Sequence, residues 1–459
     1  MMIVIPVYYF LKDKTAKKWF LLIASYVFYG YWDWRFLGLI LFSSVMDFYL
    51  GLAIEKSASE KIRKRWLFFS LVVNLSILGL FKYFNFFVDS FQDIFNVNLD
   101  TLHLNIILPV GLSFYTFQSL SYTFDVYRRK MKAERNMLDY ILFVAFFPQL
   151  VAGPIERAID LLPQVKNPRN PSKSEMWDGF LLISLGMAKK VLIGDTVAKY
   201  VDHVFTEPGF YVSPELLSSL LLFSIQIYAD FSGYSNIARG CGKFLGVDLV
   251  INFKQPYLSQ NITDFWRRWH ISLSSWLKEY LYIWGLGGNR KGRVRTYINL
   301  LLTMVIGGFW HGANITYIVW GFIHGLALAI HKWFCEITGK PRISHGHFFV
   351  KIAGGLLTYL LVLFAWLFFR APNMTTVGYY LDSFIHWRSS DLSMDLLFIV
   401  ITYYVVTIMF DLLEHNYGEL FMRHLTPLKQ YAILIPVWGA ILMYMFSIGR
   451  PLPFIYFQF

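Results

Sequence analysis

The sequence predicts an all-α, polytopic membrane protein of about 11–12 helices, with re-entrant and interfacial segments around a central cavity. Three observations carry that expectation. Of 459 residues, 56% are hydrophobic and 16% charged, against about 25% charged in soluble domains. Apolar blocks of helical length follow one another with short breaks, and no repeat or long polar linker separates them, so one membrane domain over residues 1–459 is expected. Prolines and glycines interrupt FFPQLVAGPIERAIDLLPQ, 146–164. Such irregular backbone survives at membrane depth only inside protein or beside a water-filled cavity.

In chain order, the first ten residues read as a short docking helix. Their apolar start carries no small-residue cleavage site and is expected to be retained. Spans are expected at 19–35, 36–54, 66–88, 106–127, 138–153, 176–194, 214–238, 297–312, 314–334, 349–369, 396–413 and 430–448. The loop 55–65 carries Lys56, Lys61, Arg63, Lys64 and Arg65, and loop 128–135 carries Arg128, Arg129, Lys130, Lys132 and Arg135. Between them lie two spans and the connector 89–105, with Asp89, Asp93 and Asp100 and no Lys or Arg. The two basic loops therefore share a side, which the positive-inside rule makes cytoplasmic; Lys12, Lys14, Lys17 and Lys18 fit the same side. The net charge of +12 is read as such loops rather than as nucleic-acid binding, because the cations lie between apolar blocks. Cys241 and Cys335 give no disulfide framework.

The stretch from Thr296 to His331 runs 36 residues without Asp, Glu, Lys or Arg. That exceeds a single crossing of about 20 residues. It is expected to form two helices, broken near Gly307-Gly308 or Gly312, with His311 at the break. An imidazole placed there needs a partner or a task. His311 is the candidate for the task, His324 for an interhelical hydrogen bond, and His331 for an interfacial position. Upstream, DFWRRWHISLSSWLKEYLYI at 264–283 spaces Phe265, Trp266, Trp269, Leu273, Trp276, Leu277, Tyr280 and Leu281 by threes and fours, an amphipathic, interfacial helix that includes His270. WGLGGNRKGRVR, 284–295, is a flexible cationic loop whose Arg290, Lys291, Arg293 and Arg295 suit phosphate or simply mark topology.

Other motifs carry less. His386 to Asp391 matches an HxxxxD acyltransferase pattern, and Ser344-His345-Gly346-His347 lacks further metal ligands at useful spacing, so no metal is expected. Neither HExxH nor GxSxG occurs, leaving zinc-peptidase and α/β-hydrolase readings unsupported.

FWRRWH at 265–270 and GGFWHG at 307–312 resemble the membrane-bound O-acyltransferase family, nearest to its bacterial branch of alginate and related polysaccharide O-acetylation. The likeness runs on through LLIASYVFYGYW (21–32), LPVGLSFYTFQSLSY (108–122), FFPQLVAGPIER (146–157), QIYADFSGYSNIARG (226–240), NFKQPYLSQNITDFWRRWHISLSSWLKEYLYI (252–283) and FIYFQF (454–459). The resemblance implies an MBOAT-like fold with a catalytic core about 225–335, His311 as the family's catalytic histidine and His270 as its second polar position. It also implies a bacterial inner-membrane location in contact with lipid and an extracytoplasmic acetyltransferase partner that receives the acetyl group for a polysaccharide acceptor.

The chemistry then expected is acetyl transfer from acetyl-CoA to a hydroxyl, with no bound cofactor. His311 acts as base or as transient acyl carrier, and His270 orients the acceptor or polarises the thioester carbonyl. Trp269, Trp310, Asn314 and His324 are expected to line the cavity, the two tryptophans helping to exclude water, while Arg290, Lys291, Arg293 and Arg295 hold the donor's phosphates. D-alanyl transfer to teichoic acid from a carrier protein is the alternative within the enzymes. A channel or transporter for acyl groups or solutes is the alternative outside them.

Overall fold

The computed structural model describes residues 1, 3–339, 347–389, 393–448 and 454. Among them there are α-helices, short 3₁₀ and π turns, and no strand. The chain divides into two compact units, one of residues 1–180 with 238–250 and one of 181–237 with 251–459.

The first unit begins with α1 (Val4–Phe10), α2 (Lys14–Asp33), α3 (Leu37–Lys56), α4 (Glu60–Leu78) and α5 (Phe84–Phe95). It continues with α6 (Leu112–Tyr127), α7 (Met137–Ala145), α8 (Phe147–Leu150) and α9 (Ala158–Lys166). The unit boundaries fall within α10 (Lys173–Met187) and α12 (Ser213–Phe244), which flank α11 (Asp195–Thr206). The second unit adds α13 (Ile262–Arg268), α14 (Ile271–Trp276), α15 (Arg293–His311) and α16 (Ile315–Thr338), then α17 (Phe348–Arg370), α18 (Met374–Ile385), α19 (Ser393–Tyr417) and α20 (Pro427–Ile448).

Among the described residues, seven helical stretches are long and apolar enough to cross a membrane: 14–56, 60–92, 213–244, 315–338, 348–370, 395–417 and 427–447. The first holds both α2 and α3, so eight of the expected spans fall inside these stretches. The other four lie outside these stretches. The stretch at 106–127 becomes α6, 16 residues buried almost all round, a core helix enclosed by protein. That at 138–153 becomes α7, whose 9 residues reach only about 14 Å. The stretch at 176–194 opens into π turns over Ala188–Gly194 between α10 and α11, and that at 297–312 becomes α15, whose first turn carries Arg293 and Arg295.

In the first unit the two basic loops meet at one end, as their shared sidedness requires. Arg135 pairs with Glu55, and the Arg129 guanidinium donates to the Glu55 and Ser57 carbonyls at 3.0 and 3.3 Å. Nearby, Lys18 pairs with buried Asp139 at 2.6 Å. Between α3, α4 and α6, buried Asp47 accepts from the Ser70 hydroxyl at 2.7 Å and the Asn74 amide at 2.9 Å. The proline- and glycine-broken segment 146–164 holds two short helices, α8 and α9, joined by a loop. Its Glu156 is fully buried and accepts from the Val250 amide at 2.7 Å.

Candidate active site

Gly312 ends α15 in an extended conformation (φ −162°, ψ 152°), while Gly307 and Gly308 stay helical. Of the expected break points, Gly312 is the one used. Gly308 instead permits close approach: a Cβ there would lie 3.2 Å from Gly321 Cα, and one on Gly325 would lie 2.8 Å from Leu301 Cα. Glycines thus let α15 and α16 lie backbone to backbone, and their junction holds His311.

His311 is 6% exposed. Its ring centroid lies 4.9 Å from Trp310 and 5.2 Å from both Trp320 and Phe369. The histidine is therefore enclosed by aromatic side chains of its own protein. Trp366 extends this enclosure, 5.2 Å from Phe369 and 6.1 Å from Trp320.

His324 is fully buried. Its Nδ1 accepts the Trp266 indole N–H at 3.3 Å, and its ring stacks on Phe265 at 6.0 Å and meets Trp320 edge-on at 4.8 Å. The bond joins α13 to α16, the interhelical role expected of it. His331 is half-buried and pairs with the Thr263 hydroxyl at 2.9 Å.

The expected continuous helix over 264–283 is corrected. His270 takes up left-handed backbone (φ 42°, ψ 56°) and separates α13 from α14. Phe265, Trp269, Leu273, Trp276, Leu277 and Tyr280 are all buried, so the apolar face packs inside the protein rather than at a lipid interface. Asn252 holds the turn. Its Oδ1 accepts from His270 Nδ1–H at 3.1 Å, from the Ser272 amide at 3.2 Å and from the Ser272 hydroxyl at 2.9 Å. Its carbonyl accepts from the Ile271 amide at 2.9 Å, and its side-chain amide donates to Ser235 at 3.3 Å. His270 lies outside the seven spanning stretches, and burial pushes its pKa down to about 3. A neutral ring donating from Nδ1 presents Nε2 as an acceptor.

Trp269, Trp366, Trp320 and His311 form a run of ring contacts, the first pair at 4.9 Å. The structure thus brings His311, Trp310, Trp269 and His324 into one aromatic core, with His270 adjoining it through Phe253, which touches both His270 and Trp269. Asn314, expected to line the cavity, instead caps α16 by accepting from the Thr316 amide at 3.0 Å and straps it to the Pro372 carbonyl at 2.7 Å. The four cations are not gathered at the histidine. Arg290, Lys291, Arg293 and Arg295 are exposed at the opposite end of α15, about 27 Å from His311 at 1.5 Å per residue. The loop expected to be flexible is pinned where Asn299 donates to the Leu286 and Gly288 carbonyls at 3.0 and 2.9 Å. The Arg290 side chain also donates to the Ile283 carbonyl at 2.9 Å.

Sequence reasoning missed Trp320, Trp366 and Phe369, each an unremarkable aromatic in an apolar helix, and Asn252, lying outside any charged pattern. It also missed a buried ionic network in the second unit. Lys189 pairs with Glu414 at 2.5 Å, and Lys190 with Asp195 and Asp230 at 2.6 Å each. Tyr228 donates to Asp411 at 2.6 Å, and Gln255 to Glu414 at 3.0 Å. The visible signal was two lysines inside an apolar run. Exposed His386 pairs with Asp382 at 3.0 Å; Asp391 of the HxxxxD pattern, and Ser344, His345 and Gly346, lie outside the described residues. So do residues 455–459 of FIYFQF, whose Phe454 packs 4.7 Å from Tyr234.

Long apolar helices in both units, with an imidazole enclosed by aromatic rings in the second, mark a polytopic membrane protein. The model of the membrane-bound O-acyltransferase family, MBOAT, matches residues 26–371. The chain belongs to that family and is an O-acyltransferase. It is 44% identical to "Probable alginate O-acetylase AlgI" of Pseudomonas syringae pv. tomato, over 84% of this chain and 74% of that one. It is 39% identical to a peptidoglycan O-acetyltransferase of Helicobacter pylori, over 79% and 72%. It is also 26% identical to a teichoic acid D-alanyltransferase of Bacillus subtilis, over 58% and 69%.

Proposed function

We propose that this protein transfers an acetyl group from a cytoplasmic thioester, acetyl-CoA, toward O-acetylation of an exopolysaccharide or cell-wall polysaccharide, from a bacterial inner membrane. The observation that carries this reading is His311, enclosed at the α15–α16 break within the family's matched segment. A sugar hydroxyl is a weak nucleophile, and an imidazole that takes its proton as the C–O bond forms raises the rate about 10²–10⁴-fold. His270, neutral and held by Asn252, orients the acceptor through Nε2. Trp269 and Trp310 keep water from the thioester. Arg290 and Lys291 hold the donor's phosphates at the far end of α15, so the donor's arm follows that helix to reach His311. An extracytoplasmic acetyltransferase receives the acetyl group where the polymer itself does not enter the membrane. The two polysaccharide and peptidoglycan O-acetylases share more of this chain than the D-alanyltransferase does, which favours acetyl over D-alanyl.

The test uses membranes of a deletion strain, which retain the extracytoplasmic partner, carrying the full-length protein, with acetyl-CoA and the strain's unacetylated polymer. Wild type releases free thiol and acetylates; His311→Ala, inserted at normal level, releases none above background. Equal thiol release by His311→Ala ends the assignment. Arg290→Ala with Lys291→Ala raises the donor KM with kcat retained; an unchanged KM leaves the loop as a topology signal alone.

A further inference from the structure

Among the described residues, two buried N–H groups on α16 have no acceptor. Trp320 is 1% exposed and His324 0%, and they sit one helical turn apart on α16 with ring centroids 4.8 Å apart. Trp320 also packs edge-on against His311 at 5.2 Å. Trp320 Nε1 finds no hydrogen-bond partner among the described residues, and neither does His324 Nε2. The tautomer of His324 follows from its neighbour. An indole only donates, so the Trp266 N–H pointing at His324 Nδ1 at 3.3 Å makes that nitrogen the acceptor. The single proton of the neutral ring is then on Nε2.

Indole N–H groups in protein interiors are nearly always satisfied, and leaving two donors unmet one turn apart is costly. An oxygen acceptor carried by a substrate would satisfy them. We propose that Trp320 Nε1–H and His324 Nε2–H bind the carbonyl oxygen of the donor's acyl group and stabilise the oxyanion it becomes. This rests on the reading of His311 as the base at the reacting centre.

The acceptor's hydroxyl oxygen attacks the thioester carbonyl carbon while His311 takes the hydroxyl proton. The carbonyl π pair moves onto oxygen, where the two N–H groups meet the new charge. Collapse restores the C=O bond and breaks the C–S bond, and the departing thiolate takes the proton back from His311. Donors fixed before reaction are worth most when water is excluded, and the rings around Trp320 supply that exclusion.

The experiment pairs isosteres at His324. Asn reproduces the Nδ1 side and still accepts from Trp266, but lacks the Nε2 donor. Gln places an N–H near Nε2 and gives up the Nδ1 acceptor. In the same deletion-strain membranes, with acetyl-CoA and unacetylated polymer, the proposal expects His324→Asn to lower kcat about 10–100-fold with donor KM little changed. His324→Gln recovers about tenfold of that loss. Trp320→Phe, which keeps the ring and removes the N–H, lowers kcat on the same scale with an unaltered melting temperature. Wild-type kcat in Trp320→Phe and His324→Asn overturns the proposal. So does the reverse order, Asn active and Gln inactive, which makes His324 a support for Trp266 only. A raised KM with normal kcat overturns it too, assigning the donors to an amide of the donor's arm. These results separate from the fate of the wider reading: an active His311→Ala enzyme removes the reacting centre itself, whereas an inactive one beside fully active Trp320→Phe and His324→Asn removes only the oxyanion donors.

Discussion

At the scale of single residues, the two histidines of the proposed mechanism differ in what holds them. His311 is set by aromatic packing, and His270 by one asparagine that also pins the Ser272 amide and hydroxyl. Asn252→Ala leaves several buried polar groups unmet at about 1–3 kcal/mol each, so it should lower the melting temperature and depress acetylation together. A melting scan in detergent checks the first and polymer acetate the second. The pKa of His270, lowered by burial to about 3, has a further consequence. An unfolded chain takes up that proton near pH 6.5 and the folded one does not. The ring's contribution is thus fully present above about pH 6.5 and is lost as pH falls from there toward 3. Melting temperatures of wild type and His270→Asn compared from pH 7 to pH 4 should converge as pH falls. The suspicion attached to His311 was legible in the sequence, because an imidazole in an uncharged 36-residue stretch stands out. Asn252 and Trp320 were not legible, since an asparagine in a loop and a tryptophan in an apolar helix have many ordinary uses.

At the scale of elements, the α15–α16 hairpin is the part that sequence described best. Length, lack of charge and glycine placement required two helices and a break, and the structure fixes that break at Gly312. Gly308→Ala forces a methyl group against the α16 backbone. It should cost about 1–3 kcal/mol and reduce activity by displacing His311, read as a lower melting temperature with reduced kcat; a variant as stable and active as wild type would show the hairpin to be loosely packed. The 264–283 segment was described half correctly. Its apolar spacing was visible and its buried face follows from it. The turn at His270 was not, because left-handed backbone at a histidine is stabilised by Asn252, a residue distant in sequence. Three expected spans, at 106–127, 138–153 and 176–194, likewise became core, short or broken helices, since an apolar run reads alike whether lipid or protein covers it.

At the scale of the whole molecule, composition sufficed for an all-α membrane protein, and basic loops 55–65 and 128–135 correctly foretold a shared end. The buried ionic network needed the fold, because Lys189 and Glu414 lie far apart in sequence and meet only when α19 packs on the π turns. Lys189→Met strands Glu414 inside the protein, and breaking such a pair costs about 3–5 kcal/mol. Detergent-solubilised Lys189→Met should melt well below wild type, and the double variant Lys189→Met with Glu414→Leu should recover part of the loss. The most direct test of the central claim is the acetate released by alkali from the surface polysaccharide of a deletion strain carrying either wild type or His311→Ala. The account predicts acetate with wild type and none with the variant at equal membrane abundance; polymer acetylated to the same extent by both would contradict it.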